Sequence, residues 1–117
     1  MTDAITIFHN PACGTSRNTL AAIREAGHEP KVVEYLKTGW TKPQLKQLLK
    51  DMGAKARDIL RVRGTPAEEL GLTDPKTTDE AILDAMVAHP ILVERPIVVT
   101  PKGTKLCRPS ETVQQLL

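Results

Sequence analysis

The feature that most constrains the fold is an apolar run followed by a loop, a helical pattern and a second apolar run. Residues 4–8 (AITIF) predict a short buried strand, and Pro11 interrupts regular structure soon after it. Residues 16–26 carry apolar side chains near helical spacing, and Gly27 is a stop signal. Residues 32–35 (VVEY) predict a second strand. This β-α-β succession favours parallel strands joined by a right-handed crossover.

Helix-start signals recur in the middle of the chain. Residues 41–44 (TKPQ) have the capping-box signature, with Thr at the N-cap and Gln three residues later, and Gly53 ends the apolar face that follows. Residues 65–68 (TPAE) repeat the signal with Pro at the first helical position. Residues 77–80 (TTDE) repeat it again, before a helix that we expect to stop near residues 89–90 (HP). The middle of the chain is therefore predicted to be helical.

The C-terminal third predicts a hairpin and a short helix. Residues 97–100 (IVVT) form a third apolar run, residues 101–103 (PKG) are typical of a turn, and residues 104–107 (TKLC) can return as a strand. Ser110 begins a short terminal helix. The full order is β-α-β, a helical insertion, then β-β-α. We expect an α/β protein with a mixed sheet, folded as one domain over residues 1–117.

Cys13 is the strongest candidate for chemistry. It lies between a strand and a helix, where backbone N–H groups are unpaired and the helix dipole is positive. Both effects favour thiolate over thiol, and the thiolate is the nucleophile. His9 lies four residues upstream, and a protonated imidazole there would lower the pKa of the thiol further. Cys107, beside Leu106 in a predicted strand, is expected to be a packing residue.

Composition excludes several classes of function. The net charge of +2, from 16 basic and 14 acidic residues, is too balanced to indicate binding of nucleic acid or membrane. Two cysteines do not make a secreted disulfide framework, and the first four residues lack the regions of a signal peptide, so we expect a cytoplasmic protein. The cysteines and the three histidines are scattered, which predicts no metal site.

Four segments resemble those of the glutaredoxin-coupled arsenate reductases, the ArsC family. The active-site segment is residues 9–20 (HNPACGTSRNTL), and the resemblance extends in register from about residue 5 to residue 113. It implies a thioredoxin-like fold in which Pro96 follows a cis bond. The other matching segments are residues 89–92 (HPIL), 95–101 (RPIVVTP) and 106–111 (LCRPSE).

The resemblance also implies an activity and the residues that carry it. Arsenate would be reduced to arsenite with glutathione as co-substrate and glutaredoxin as partner, without a tightly bound cofactor. Cys13 would attack arsenic, and an oxyanion clamp would be made by Arg61, Arg95 and Arg108. Guanidinium groups suit this role because they bind tetrahedral oxyanions bidentately and keep their charge. Ser16 either donates to the thiolate or to the anion, or it caps the helix.

The motif around Cys13 excludes two related chemistries and leaves three alternatives. Ser16 stands where a dithiol oxidoreductase needs its second cysteine, so reducing electrons must come from outside the chain. Thr19 stands where a phosphatase-like loop needs arginine. The alternatives are a related reductase of unknown substrate, a regulator resembling the Spx group that binds RNA polymerase, and a monothiol glutaredoxin. The last would lack the helical insertion and the arginine clamp.

Overall fold

The computed structural model describes residues 4–117 and divides into two compact units. The first unit comprises the described residues up to Thr38 together with Arg95–Leu117, and the second comprises Gly39–Glu94. The second unit is the predicted helical insertion. The prediction of one domain over the whole chain stays a prediction.

The first unit is built on a four-stranded mixed sheet in the order β2-β1-β3-β4. Strand β1 (Thr6–His9) pairs in parallel with β2 (Lys31–Glu34) and antiparallel with β3 (Ile97–Thr100), and β3 pairs antiparallel with β4 (Gly103–Leu106). Helix α1 (Gly14–Glu25) connects the two parallel strands. This arrangement confirms the predicted β-α-β and β-β order of a thioredoxin-like fold.

Apolar side chains from β1, α1 and β3 form the core of this unit together with a C-terminal 3₁₀ helix, Ser110–Leu116. The predicted terminal helix is therefore present in a tighter form than an α-helix. Because α1 contacts the 3₁₀ helix, these two elements lie on one face of the sheet. The buried residues of this cluster are Ile5, Ile7, Ile23, Val98, Cys107, Val113 and Leu116.

The predicted strand through Tyr35 is one residue too long. The ladder between β1 and β2 ends where His9 pairs with Glu34, one residue before Tyr35. Tyr35 instead begins the short helix α2 (Tyr35–Thr38) and is fully buried.

The second unit contains helices α3 (Lys42–Met52) and α4 (Asp79–Ala88) and two 3₁₀ helices, Ala56–Ile59 and Pro90–Leu92. The Thr41 capping box is confirmed: its side chain accepts from the N–H of Gln44 at 3.2 Å, and the Gln44 side chain accepts from the N–H of Thr41 at 3.3 Å. The helix predicted after residues 77–80 is confirmed too, with Thr78 accepting from the N–H of Ala81 at 3.2 Å.

The prediction of a helix starting at Thr65 is wrong. Thr65 does accept from the N–H of Ala67 at 3.3 Å, but only one turn follows. Gly71 takes a left-handed conformation (φ 73°), and the N–H of Leu72 returns to the carbonyl of Ala67 at 3.0 Å. That bond is one of the two hydrogen bonds of a Schellman motif, which ends a helix. Start and stop signals therefore lie too close together for a helix to propagate.

Candidate active site

The loop between β1 and α1 places Cys13 at the N-cap of α1. Cys13 has extended backbone angles (φ −96°, ψ 121°), and its N–H donates to the carbonyl of Asn10 at 3.0 Å. The helix begins at Gly14, two residues earlier than the sequence pattern predicts. Cys13 is partly exposed.

The surroundings of Cys13 favour its thiolate. Burial raises the pKa of the Cys13 thiol, but the Ser16 backbone N–H and the guanidinium groups of Arg95 and Arg108 act in the opposite direction and lower the pKa overall. The Ser16 contribution is the helix N-terminus effect inferred from the sequence. The two arginines add positive charge that the loop alone does not supply.

Strand pairing brings Arg95 and Arg108 to this loop. Arg95 lies just before β3 and Arg108 just after β4, and these strands pair Ile97 with Leu106 at the same end of the hairpin. Strand β1 runs antiparallel to β3 with Phe8 opposite Ile97, so the loop that carries Cys13 starts at that end of the sheet too. Both Arg95-Pro96 and Arg108-Pro109 are cis peptide bonds.

The two guanidinium groups differ in their surroundings. Arg108 is exposed; its Nη1 donates to the carbonyl oxygen of Arg95 at 2.8 Å and lies 3.8 Å from the Cys13 sulfur. Arg95 is 8% exposed, and its buried Nε and Nη1 donate to no acceptor within residues 4–117. Buried donors without partners are costly, so they favour binding of an acceptor. An anion beside Cys13 would be such an acceptor.

His9 contacts this loop through Ser16, and its role in lowering the pKa of Cys13 stays a prediction. Nδ1 of His9 lies 2.6 Å from Oγ of Ser16, which also accepts from the N–H of Asn10 at 3.1 Å. Burial lowers the pKa of His9, and although Glu34 acts in the opposite direction, the overall direction is downward from 6.5. The expected imidazolium is thus disfavoured in the fold. The hydroxyl of Ser16 is engaged within the loop, while its backbone N–H lowers the pKa of Cys13.

Arg61 belongs to the second unit, and its guanidinium already has protein partners there. Nη1 of Arg61 contacts Oε1 of Glu94 at 2.8 Å, and Nε donates to the carbonyl of Arg63 at 3.1 Å. An antiparallel bridge between Leu60 and Val93 brings Arg61 and Glu94 together. Sequence reasoning missed Glu94, because no local signal pairs residues 33 positions apart. The substrate-binding role of Arg61 stays a prediction.

Cys107 is a packing residue, as the sequence indicates. It is fully buried in the core of the first unit, and this burial raises the pKa of its thiol to about 12. Within residues 4–117, no group of three or more His, Cys, Asp or Glu side chains is placed to hold a metal ion. In the same part of the chain, no helix has the length and apolar character needed to cross a membrane.

Comparison with known proteins identifies the family of the chain. The model of the ArsC family matches residues 8–116. Two similar proteins are named arsenate reductase: one from Rhizobium meliloti (58% identical over 113 residues, 97% of this chain and 81% of the relative) and one from Escherichia coli (57% identical over 113 residues, 97% and 80%). The solved structure of an arsenate reductase from Vibrio cholerae superposes with a TM-score of 0.94 at 37% identity, covering all of both chains. The chain therefore belongs to the ArsC family.

Proposed function

We propose that this protein reduces arsenate to arsenite, drawing electrons from glutathione and glutaredoxin. The observation that carries the proposal is the Cys13 sulfur at the N-terminus of α1, 3.8 Å from the Arg108 guanidinium, with buried Arg95 lowering the pKa of its thiol as well. A nucleophilic sulfur beside two guanidinium groups suits a substrate that is both an oxyanion and an electrophile. Relatives of 57% and 58% identity carry the name arsenate reductase, which supports this choice of substrate.

The arginines have two tasks in this proposal. Arg95 and Arg108 bind the arsenate oxygens by charge-assisted hydrogen bonds, and they stabilise the negative charge that develops as sulfur attacks. Arg61 is the third proposed member of the clamp. Arginines brought together repel one another unless an anion lies between them, so binding of the substrate also relieves this repulsion.

The reaction then proceeds by displacement at arsenic and at sulfur. The Cys13 thiolate forms a bond to arsenic(V), and one arsenate oxygen leaves as water after protonation. The glutathione thiol displaces a second oxygen in the same way. A glutaredoxin thiolate attacks the glutathione sulfur; this forms a mixed disulfide and leaves the electron pair of the broken bond on arsenic, which becomes arsenic(III). Water then releases arsenite and regenerates Cys13.

The proposed partners follow from the single thiol in the motif. Because Ser16 stands where a second cysteine would be needed, Cys13 cannot close a disulfide within the motif, and an external thiol must supply the electrons. Thiol exchange of this kind needs neither a metal nor a tightly bound cofactor. The proposed reaction does require reduced glutathione, which is consistent with a cytoplasmic location.

The test measures arsenite formed from arsenate in the presence of glutathione, with and without glutaredoxin. We expect glutaredoxin-dependent turnover in the native protein and none in Cys13→Ser. The matched control is Cys107→Ala, which removes the other thiol and is expected to retain turnover because Cys107 is buried in the core. Turnover in Cys13→Ser would refute the assignment of Cys13 as the nucleophile. No turnover by folded, reduced native protein would refute the activity.

A further inference from the structure

Asn10 contacts the loop that carries Cys13 at three points. Its side-chain Oδ1 accepts from the N–H of Ala12 at 2.9 Å, and its carbonyl accepts from the N–H of Cys13 at 3.0 Å. Its own N–H donates to Oγ of Ser16 at 3.1 Å. Asn10 is 3% exposed; its bond to Ser16 is buried and its bond to Ala12 is partly buried. One residue therefore fixes the turn before Cys13 and the first turn of the helix after it.

We propose that Asn10 is a positioning residue that holds the Cys13 sulfur against the N-terminus of α1. The bond from Oδ1 to the N–H two residues later is an Asx turn, in which an asparagine side chain replaces one backbone link of a turn. It sets the direction in which the chain leaves β1 and enters the helix. Asn10 does not contact the substrate in this proposal; it acts by fixing the position of Cys13.

The position of the sulfur matters because each group that stabilises the thiolate acts over a short range. The Arg108 guanidinium lies 3.8 Å from the Cys13 sulfur, and the Ser16 N–H lowers the pKa of the thiol from the first turn of α1. Both effects weaken steeply as distance and angle depart from their best values. Without the Asx turn, the N–H of Ala12 loses its partner and the loop gains conformers in which the sulfur lies farther from these donors. The fraction of thiolate at pH values below the midpoint then falls.

The proposal rests on the proposed function only in taking Cys13 as the nucleophile, and its test does not require arsenate. The test is the rate of Cys13 alkylation by iodoacetamide as a function of pH, in Asn10→Ala and in the native protein. We expect the midpoint of the profile to rise in Asn10→Ala. Below the midpoint the rate should fall by about 3- to 10-fold, the range expected for loss of one hydrogen bond, while the plateau at high pH is unchanged.

Two further variants separate positioning from general stability. Asn18→Ala makes the same substitution at an exposed position of α1 and is expected to leave the midpoint unchanged. Asn10→Ser keeps a shorter acceptor, because a serine hydroxyl makes the same turn more weakly, and is expected to give an intermediate midpoint. Amide hydrogen exchange at Ala12 reports whether the Oδ1 bond is lost.

The results that would overturn the proposal are equally specific. An unchanged midpoint in folded Asn10→Ala would show that Asn10 only stabilises the fold, even if the melting temperature drops. If Asn10→Ala does not fold, a native midpoint in Asn10→Ser with faster exchange at Ala12 would have the same meaning. Absence of arsenate turnover in the native protein would refute the proposed function and leave the role of Asn10 to be decided by alkylation alone.

Discussion

Arg108→Ala is the substitution whose effect on Cys13 follows most directly from a distance in the structure. Nη1 of Arg108 lies 3.8 Å from the Cys13 sulfur, and the arginine side chain is exposed. Two opposite unit charges at that distance attract by about 1.1 kcal/mol in the dielectric of bulk water, which is the appropriate limit for an exposed cation. Since one pKa unit corresponds to about 1.4 kcal/mol, the pKa of Cys13 should rise by about 0.8 unit.

The direction of the effect follows from the groups that act on the thiol. In the folded protein the pKa of Cys13 is lowered by the Ser16 N–H, Arg95 and Arg108 despite the opposing effect of burial. Loss of one cation therefore shifts the pKa upward, and below the pKa the thiolate fraction falls about sixfold. Alkylation by iodoacetamide measures this fraction, because only the thiolate reacts. The rate at high pH should be unchanged.

Two control variants isolate the charge of Arg108 from its contacts. Arg108→Lys keeps the charge, and its alkylation midpoint should stay close to that of the native protein. Arg24→Ala removes an exposed cation that pairs with Glu29, away from the sulfur, and should leave the alkylation profile of Cys13 unchanged. If Arg108→Ala and the native protein had the same midpoint, the reasoning would be refuted. The thiolate would then depend on the helix N-terminus and Arg95 alone.

Two other predictions concern stability and the second cysteine. Thr41→Ala should lower the free energy of unfolding by about 1 kcal/mol in urea denaturation because α3 loses its capping box, and Thr41→Ser should recover most of the loss; equal stability of all three proteins would contradict this. Under native conditions at pH 8, iodoacetamide should label Cys13 and spare Cys107, whose pKa is raised to about 12 by burial, with a second label appearing only in denaturant. Double labelling of the folded protein, detected by mass spectrometry, would show that the core opens around Cys107.

The sequence by itself determined the elements whose signals are local. The Thr41 capping box, the Thr78 N-cap and the apolar run of β3 each act within a few residues, so the structure reproduces them. The position of Cys13 between a strand and a helix is local in the same sense, which is why its chemistry could be inferred first. The helix predicted at Thr65 failed because a stop signal at Gly71 acts over the same short range as the start signal.

The resemblance named Arg95 and Arg108 as partners of Cys13, but only the tertiary structure shows how such distant residues reach it. Arg108 is 95 positions away, and it reaches the sulfur because β1, β3 and β4 pair in one register. The same packing buries Arg95 with two donors that have no partner in the described part of the chain. It also buries His9 beside Ser16, and this burial lowers the pKa of His9 from its ordinary value of 6.5. Burial and long-range pairing depend on the whole sheet, so no local pattern of residues could have supplied them.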